Sequence, residues 1–284
     1  MKRELLILDC PEIGCPLVLF YVFKEFSGYF QRNNFSIKVI RDLKKLHNNS
    51  IVLMGDQIRC EPVKLLKEVA PEAIYIGWYW HNIQTDGLHF IHTYENRLDD
   101  SSERMVKNKS FKYNAPFLLR ADENPIFVGT YPKKIVYDYC YMGWRYCEHL
   151  VPQKFVGVYH GVKDHTKFLN YETRKNIYLS SLFALGFQAD ENVATKHVSQ
   201  RIYEGLAYGC IVLSNSFAAC EQTNHIVIHV STRDEVERLM TYYIEHPNEA
   251  EKKRQEGYAF SKEFGTNQVS ATLFLDLIDI IVQT

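Results

Sequence analysis

The sequence predicts an α/β protein of two doubly wound domains, each a parallel sheet with helices on its faces. Three observations lead there. Short apolar runs rich in β-branched and aromatic residues recur along the chain, with helix-patterned segments between them. That alternation is the βαβ rhythm of a parallel sheet. The chain has 284 residues, close to twice the prior of about 150 for a single domain. The rhythm breaks once, around "YNAPFLLRADENPIF" and "GTYPKK", where three prolines and two charge clusters mark a linker between Ala115 and Lys134. The expected domains are therefore residues 1–125 and 126–284.

In the first half, Glu4 to Asp9 reads as a buried strand and Leu17 to about Asn33 as a helix. "SIKVIRD" and "SIVLMGD" read as strands, "EPVKLLKEVAP" as a short helix ended by Pro71, and "AIYIGWYW" as another strand. The polar run from Gly87 to Lys112 reads as surface loops. The second half supplies the strands "IVYDYCYMG", "KFVGVYHG", "LFALGFQ", "CIVLSN" and "HIVIHV". Helices are expected from Ser199 to Tyr208 and from Asp234 to Glu245. From Glu251 onward, apolar positions at three- and four-residue spacing read as a helical tail.

Composition narrows the function classes. Hydrophobic residues are 46% and aromatic residues 14% of the chain, enough for real cores, and the 24% that are charged are spread along it, which excludes a disordered protein. With 33 Lys+Arg against 34 Asp+Glu and no long basic run, there is no general electrostatic footprint for nucleic acid. Any anion has to meet a local site. The seven cysteines, Cys10, Cys15, Cys60, Cys140, Cys147, Cys210 and Cys220, are odd in number and form no CxxC pair, so they read as reduced, mostly buried thiols of a reducing compartment. Cys140, Cys147 and His149 can be drawn together as a metal site, but buried thiols are preferred. The apolar run "ELLILD" is interrupted at Asp9 and "PLVLFYVF" stops at Lys24, and no segment approaches the roughly 18 apolar residues that span a bilayer. The expectation is a cytoplasmic protein without a transmembrane segment.

The most informative stretch is "TKHVSQRIYEGLAYGCIVLSN", Thr195 to Asn215. In an open parallel sheet, ligands sit beyond the carboxyl ends of the strands, where helix N-termini direct free N–H groups toward anions. The helix that starts at Ser199 follows a strand through a polar loop. Ser199 is placed to cap it, the amides near Gln200 and Arg201 to hold a phosphate, and Lys196 and Arg201 to add positive charge. Glu204 lies three residues beyond Arg201, away from apolar Ile202 and Leu206, where a carboxylate could accept from two vicinal sugar hydroxyls. A plain surface ion pair between Arg201 and Glu204 fits the same spacing. Gly209 ends the helix and allows the tight turn into "CIVLSN".

The pattern "SQRIYEGLAYGCIVLSN" resembles the donor-site signature of glycosyltransferases with the GT-B fold, in the group where a Ser-x-Arg-Ile/Phe-Tyr/Phe-Glu helix precedes a small-residue-Gly turn and an apolar strand. "YDYCYMGWRYCEHL" resembles the first strand of the same domain. Together they cover Tyr137 to Asn215, while the first half matches only in its βαβ rhythm. In size and in its Tyr-, Asn- and Lys-rich composition the chain is also similar to glycosyltransferases of large algal viruses, including a β-xylosyltransferase. The resemblance implies two Rossmann-like domains with the last helix crossing back to the first. It implies a nucleotide-sugar donor on the C-terminal domain, a UDP-sugar with UDP-xylose among the options, and a glycan or glycoprotein acceptor on the N-terminal domain. No cofactor is implied besides the donor. Carried over by position, Glu204 would hold the ribose, Ser199 and Arg201 the diphosphate region, and Arg145 the phosphates.

One departure bears on mechanism. Many retaining GT-B enzymes carry a second glutamate eight positions before the ribose glutamate, and counting back from Glu204 gives Lys196. A cation there would stabilise the departing diphosphate, which favours inversion with one general base on the acceptor hydroxyl. Asp9, Glu12, Asp56 and His81 follow first-domain strands and are candidates, with Asp56 ranked first and His81 second. Caps or turns for the aspartates, a solvated Glu12 and an aromatic-packed His81 are the competing readings. Trp78, Tyr79 and Trp80 suit either acceptor stacking or a buried core. "LDDSSE" at Asp99 and Asp100 lacks the Asp-x-Asp spacing of a diphosphate-bound metal, so transfer is expected to be metal-independent. No GxGxxG or P-loop occurs. A nucleotide-sugar epimerase or a non-catalytic sugar- or nucleotide-binding protein of two lobes is the alternative.

Overall fold

The computed structural model describes residues 3–8, 35–54, 66, 68–79, 89–92, 114–116, 134–144, 147–162, 169–194, 198–264 and 276. The chain forms two compact units, Met1–Leu118 with Ser270–Thr284, and Leu119–Val269. Each is an α/β unit built on one parallel sheet, as expected.

The sheet of the first unit contains β1 (Arg3–Leu8), β2 (Phe35–Ile40), β3 (Ile51–Met54), β4 (Ile74–Tyr79), β5 (His89–His92) and β6 (Asn114–Pro116), in the order β2-β1-β3-β4-β5-β6. All pairs are parallel. Leu5, Leu6, Ile40, Val52 and Tyr75 are buried. The Tyr75 hydroxyl lies 2.7 Å from the Leu66 carbonyl and 2.9 Å from that of Ala70, carbonyls that also accept from the Ala70 and Ala73 N–H groups, where the helical segment stops before Pro71. Two elements depart from the sequence expectation. β5 lies in the run read as surface loops, and β6 at the start of the expected linker. Both are too short to leave a period-2 signal, and β6 is the last strand of its sheet, where Pro116 removes no needed ladder donor.

The second unit contains β7 (Tyr137–Trp144), β8 (Gly157–Val162), β9 (Ser181–Leu185), β10 (Ile211–Ser214) and β11 (Ile228–His229), in the order β11-β10-β9-β7-β8. Its helices are α1 (Tyr171–Leu179), α2 (Asp190–Ala194), α3 (Gln200–Ala207), α4 (Phe217–Gln222), α5 (Arg233–Glu245) and α6 (Pro247–Phe264). Strand alternation sorts the core onto two faces. Tyr139, Tyr141, Phe183, Leu185, Ile211 and Leu213 pack with Val236 and Met240 on one face. Cys140, Ala184 and Val212 pack with Ile202, Leu206 and Phe260 on the other. Burial on both faces is why these strands read as continuous apolar runs.

Helix α3 ends as its sequence requires. Gly209 has φ 72°, its N–H reaches the Leu206 carbonyl at 3.0 Å, and the Cys210 N–H reaches Gly205 at 2.9 Å. The Arg254 Nε on α6 donates to the Gly209 carbonyl at 2.7 Å, tying this turn to the long helix. Helix α5 opens on a full capping box: the Thr232 hydroxyl accepts from the Glu235 N–H while the Glu235 carboxylate accepts from the Thr232 N–H. The Ser231 N–H also donates to that carboxylate, and these backbone bonds hold Glu235 below the usual carboxylate range. Thr232→Ala is expected to lower the unfolding free energy by about 1 kcal/mol, read by urea denaturation at neutral pH. The part carried by Glu235 is present above the pKa of the unfolded chain and disappears as pH falls through the lower folded value.

Candidate functional site

Strand order locates the site in the second unit. The chain leaves β7 to one side for β8 and returns on the other side for β9, so the winding reverses between β7 and β9. The carboxyl ends of two such strands flank the crevice of an open parallel sheet. Helix α3 begins beyond β9, and its Arg201 lies across this boundary.

The Arg201 guanidinium stands 5.7 Å from the centre of the Tyr141 ring of β7. Its Nη1 donates to the Phe187 carbonyl just past β9 at 3.2 Å and approaches the Tyr141 hydroxyl at 3.5 Å. Its Nε donates to the Ser199 Oγ at 3.1 Å. A Cβ at Gly143 would come within 2.0 Å of the Arg201 Nη1, so β7 carries glycine where the guanidinium passes. The Tyr141 ring is braced from its other contacts by stacking on Tyr159 at 5.2 Å. Arginine has five N–H donors. Among the described residues, no acceptor meets the Arg201 Nη2, which leaves a fork end for an anion.

Ser199 corrects an expectation. Its backbone has the extended geometry of an N-cap and its carbonyl accepts from the Ile202 N–H at 3.0 Å, but its side chain caps no backbone amide. The hydroxyl accepts from the charged Arg201 Nε instead, a stronger donor than a neutral amide.

Glu204 is 6% exposed and does not pair with Arg201. One oxygen lies 3.0 Å from the Arg174 Nη2 of α1, and the other accepts from the Tyr178 hydroxyl at 3.3 Å. Arg201 and Glu204 are therefore no surface ion pair. Burial, and then the Glu204 charge, push the Tyr178 hydroxyl well above its ordinary range, so it remains a protonated donor. An ionised carboxylate has about four acceptor positions, and Arg174 and Tyr178 occupy two. Sequence reasoning missed both partners because α1 was not recognised. Its signal was Asn170, whose side chain accepts from the Thr173 N–H at 2.9 Å ahead of the helix.

The other strand ends are fixed by side chains. Asn215 accepts from the Gln188 N–H and donates to the Gln188 carbonyl, both at 2.8 Å, which joins the ends of β9 and β10. The Cys147 Sγ donates to the same carbonyl at 3.0 Å. Burial raises the Cys147 thiol to about 11 and the Cys220 thiol to the same level. Cys140, Cys147, Cys210 and Cys220 are free and buried. Among the described residues, no three His, Cys, Asp or Glu side chains gather as a metal site. Arg145, Lys196, Asp56, His81, Asp9, Glu12, Trp80, Asp99 and Asp100 lie outside the described residues.

Two parallel sheets, with a cationic side chain across the switch point of the second, define the class: this is the fold of GT-B glycosyltransferases. Residues 131–276 match the glycosyl transferase-like family, and the chain belongs to it. No curated protein sequence matches. Among solved structures, the chain is similar to a glycosyltransferase from Rickettsia africae, with 12% identity, a TM-score of 0.63 and coverage of 100% of this chain and 99% of that one. It is similar to an α-glucosyltransferase in complex with UDP and a 13-mer DNA containing a HMU base, with 10% identity, TM-score 0.61 and coverage of 99% and 100%. It is also similar to Anabaena HepE in complex with UDP-glucose, with 11% identity, TM-score 0.51 and coverage of 97% and 99%. The protein is a glycosyltransferase. No helix of the described residues is long and apolar enough to cross a membrane.

A double-mutant cycle measures the ion pair beneath the site. Arg174→Ala and Glu204→Ala, alone and together, are expected to give a coupling of about 1–3 kcal/mol in unfolding free energy. A coupling near zero would show that Glu204 is held by Tyr178 alone.

Proposed function

We propose that the protein transfers a sugar from a UDP-sugar to a hydroxyl of a glycan or glycoprotein, with inversion and without a metal ion. The observation that carries this reading is Arg201, bound to both strands of the switch point with Nη2 left for an anion. A diphosphate fits a guanidinium fork there. Arg145, next in sequence after β7, and Lys196, between α2 and α3 in the sequence, would add charge, and Ser199 acts by holding Arg201. The remaining acceptor positions of Glu204 suit vicinal ribose hydroxyls. UDP is favoured because two similar structures hold UDP or UDP-glucose. UDP-xylose belongs to the same donor class. We place the donor on residues 126–284 and the acceptor on residues 1–125, in a cytoplasmic protein.

In the proposed step the acceptor oxygen attacks the anomeric carbon from the face opposite the diphosphate. A base takes the hydroxyl proton, and the electron pair of the breaking C–O bond leaves on the diphosphate. Asp56 and His81 are the proposed bases. Asp56 comes two residues after the end of β3 and His81 two after the end of β4. β3 adjoins β1 where the winding of the first sheet reverses, so Asp56 follows a strand of that switch point.

Calorimetry with UDP and with uridine separates the roles. Arg201→Ala, Arg145→Ala and Lys196→Ala should weaken UDP much more than uridine. Glu204→Ala should weaken both by roughly 1.5–3 kcal/mol, the scale of a hydrogen bond to a charged group. Equal losses for UDP and uridine in the Arg201 variant would remove it from the diphosphate site.

The reaction itself is tested in EDTA with UDP-glucose or UDP-xylose and a panel of acceptors that includes oligosaccharides and DNA. Transfer to an oligosaccharide with a β linkage by NMR is the expected result. An α linkage would overturn inversion and the proposed base, dependence on added manganese would overturn metal independence, and transfer to DNA alone would overturn the glycan acceptor. Sugar inversion without acceptor would mark an epimerase.

A further inference from the structure

Gln188 is 3% exposed, and among the described residues neither its Nε2 nor its Oε1 has a hydrogen-bond partner. Its backbone is fixed on both polar groups, by the Asn215 side chain and by the Cys147 thiol. A buried carboxamide with both atoms unpaired destabilises the folded chain, and such groups are rare enough in native proteins to need a reason. The position suggests one. Gln188 follows Phe187, whose carbonyl accepts from Arg201, so the amide belongs to the residue beside the one that fixes the cationic fork. The clamp from Asn215 and Cys147 holds it at the meeting of the β7, β9 and β10 carboxyl ends.

We propose that Gln188 recognises hydroxyl groups of the transferred sugar. This deepens the reading of the cleft as a nucleotide-sugar site and rests on it. The transferred sugar is bonded to the diphosphate, so a residue next to the diphosphate fork is placed for it. Every sugar hydroxyl is both donor and acceptor, and a carboxamide offers both in one planar group. The Gln188 side chain can turn toward a ligand without breaking a hydrogen bond to any described residue, because it makes none among them while its backbone stays clamped. An apolar residue there would leave the free protein at least as stable and lose the sugar contact.

The test compares UDP-glucose with UDP. In wild type, UDP-glucose should bind more tightly than UDP. Gln188→Met, close in shape and without a polar end, should weaken UDP-glucose roughly tenfold, leave UDP unchanged and keep a thermal midpoint no lower than wild type. Gln188→Asn keeps the amide but shortens its reach, and should lose the same sugar-dependent increment. Equal weakening of both ligands, or an unchanged preference for UDP-glucose in either variant, would overturn the proposal while leaving the donor site standing. A wild-type protein that binds neither ligand would overturn the donor-site reading, and this role with it.

Discussion

The site depends on one cation held where the second sheet changes direction. Arg201 is attached to β7 through Tyr141, to the end of β9 through the Phe187 carbonyl, and to its own helix start through Ser199. Each contact limits a neighbour. A Cβ at Gly143 would displace the guanidinium from where it stands, and the Ser199 hydroxyl is diverted from the helix amides. A flexible arginine thereby becomes an ordered fork before any ligand arrives, which lowers the ordering cost of binding an anion.

Glu204 is positioned by different means. Its carboxylate sits among apolar residues of α3, ion-paired with Arg174 and hydrogen-bonded by Tyr178, both from α1. Removing either partner would leave a buried charge undersatisfied, which is more costly than the pair is favourable. Since α1 and α3 both pack on the face lined by Cys140, Ala184 and Val212, the charge pair also fixes how the two helices meet. Site geometry and helix packing are coupled here, so changes at the pair are expected to move both.

Much of the second unit was legible because its strands are buried on both faces and its helix ends carry strong local signals. Gly209 marked the end of α3, and the observed helix, Gln200–Ala207, lies inside the expected one. Helix α5 starts one residue earlier than expected, after its capping threonine. β11 is only two residues long, although "HIVIHV" reads as a full strand, because tertiary pairing with β10 covers just Ile228 and His229. β5 and β6 were hidden by their brevity. In the site, Arg201 and Glu204 stood out by residue type and spacing, but their partners did not. Tyr141 is 60 residues from Arg201 in sequence, and Glu204 finds Tyr178 26 residues away. Such pairings are set by sheet order and leave no local pattern. Ser199 misled for a related reason: cap chemistry is local, but a nearby guanidinium competed for the same oxygen.

The buried thiols extend the same packing into chemistry of another kind. Only a thiolate is alkylated or oxidised readily, and Cys147 and Cys220 are held protonated by burial. Cys147 is further occupied as a donor to the carbonyl that Asn215 also grips. An electrophile or oxidant in the surrounding solution must therefore wait for the carboxyl edge of the sheet to open before it can react there. The rate of labelling at Cys147 becomes a clock for that local opening, and a bound ligand that holds the edge shut would slow the clock without touching sulfur.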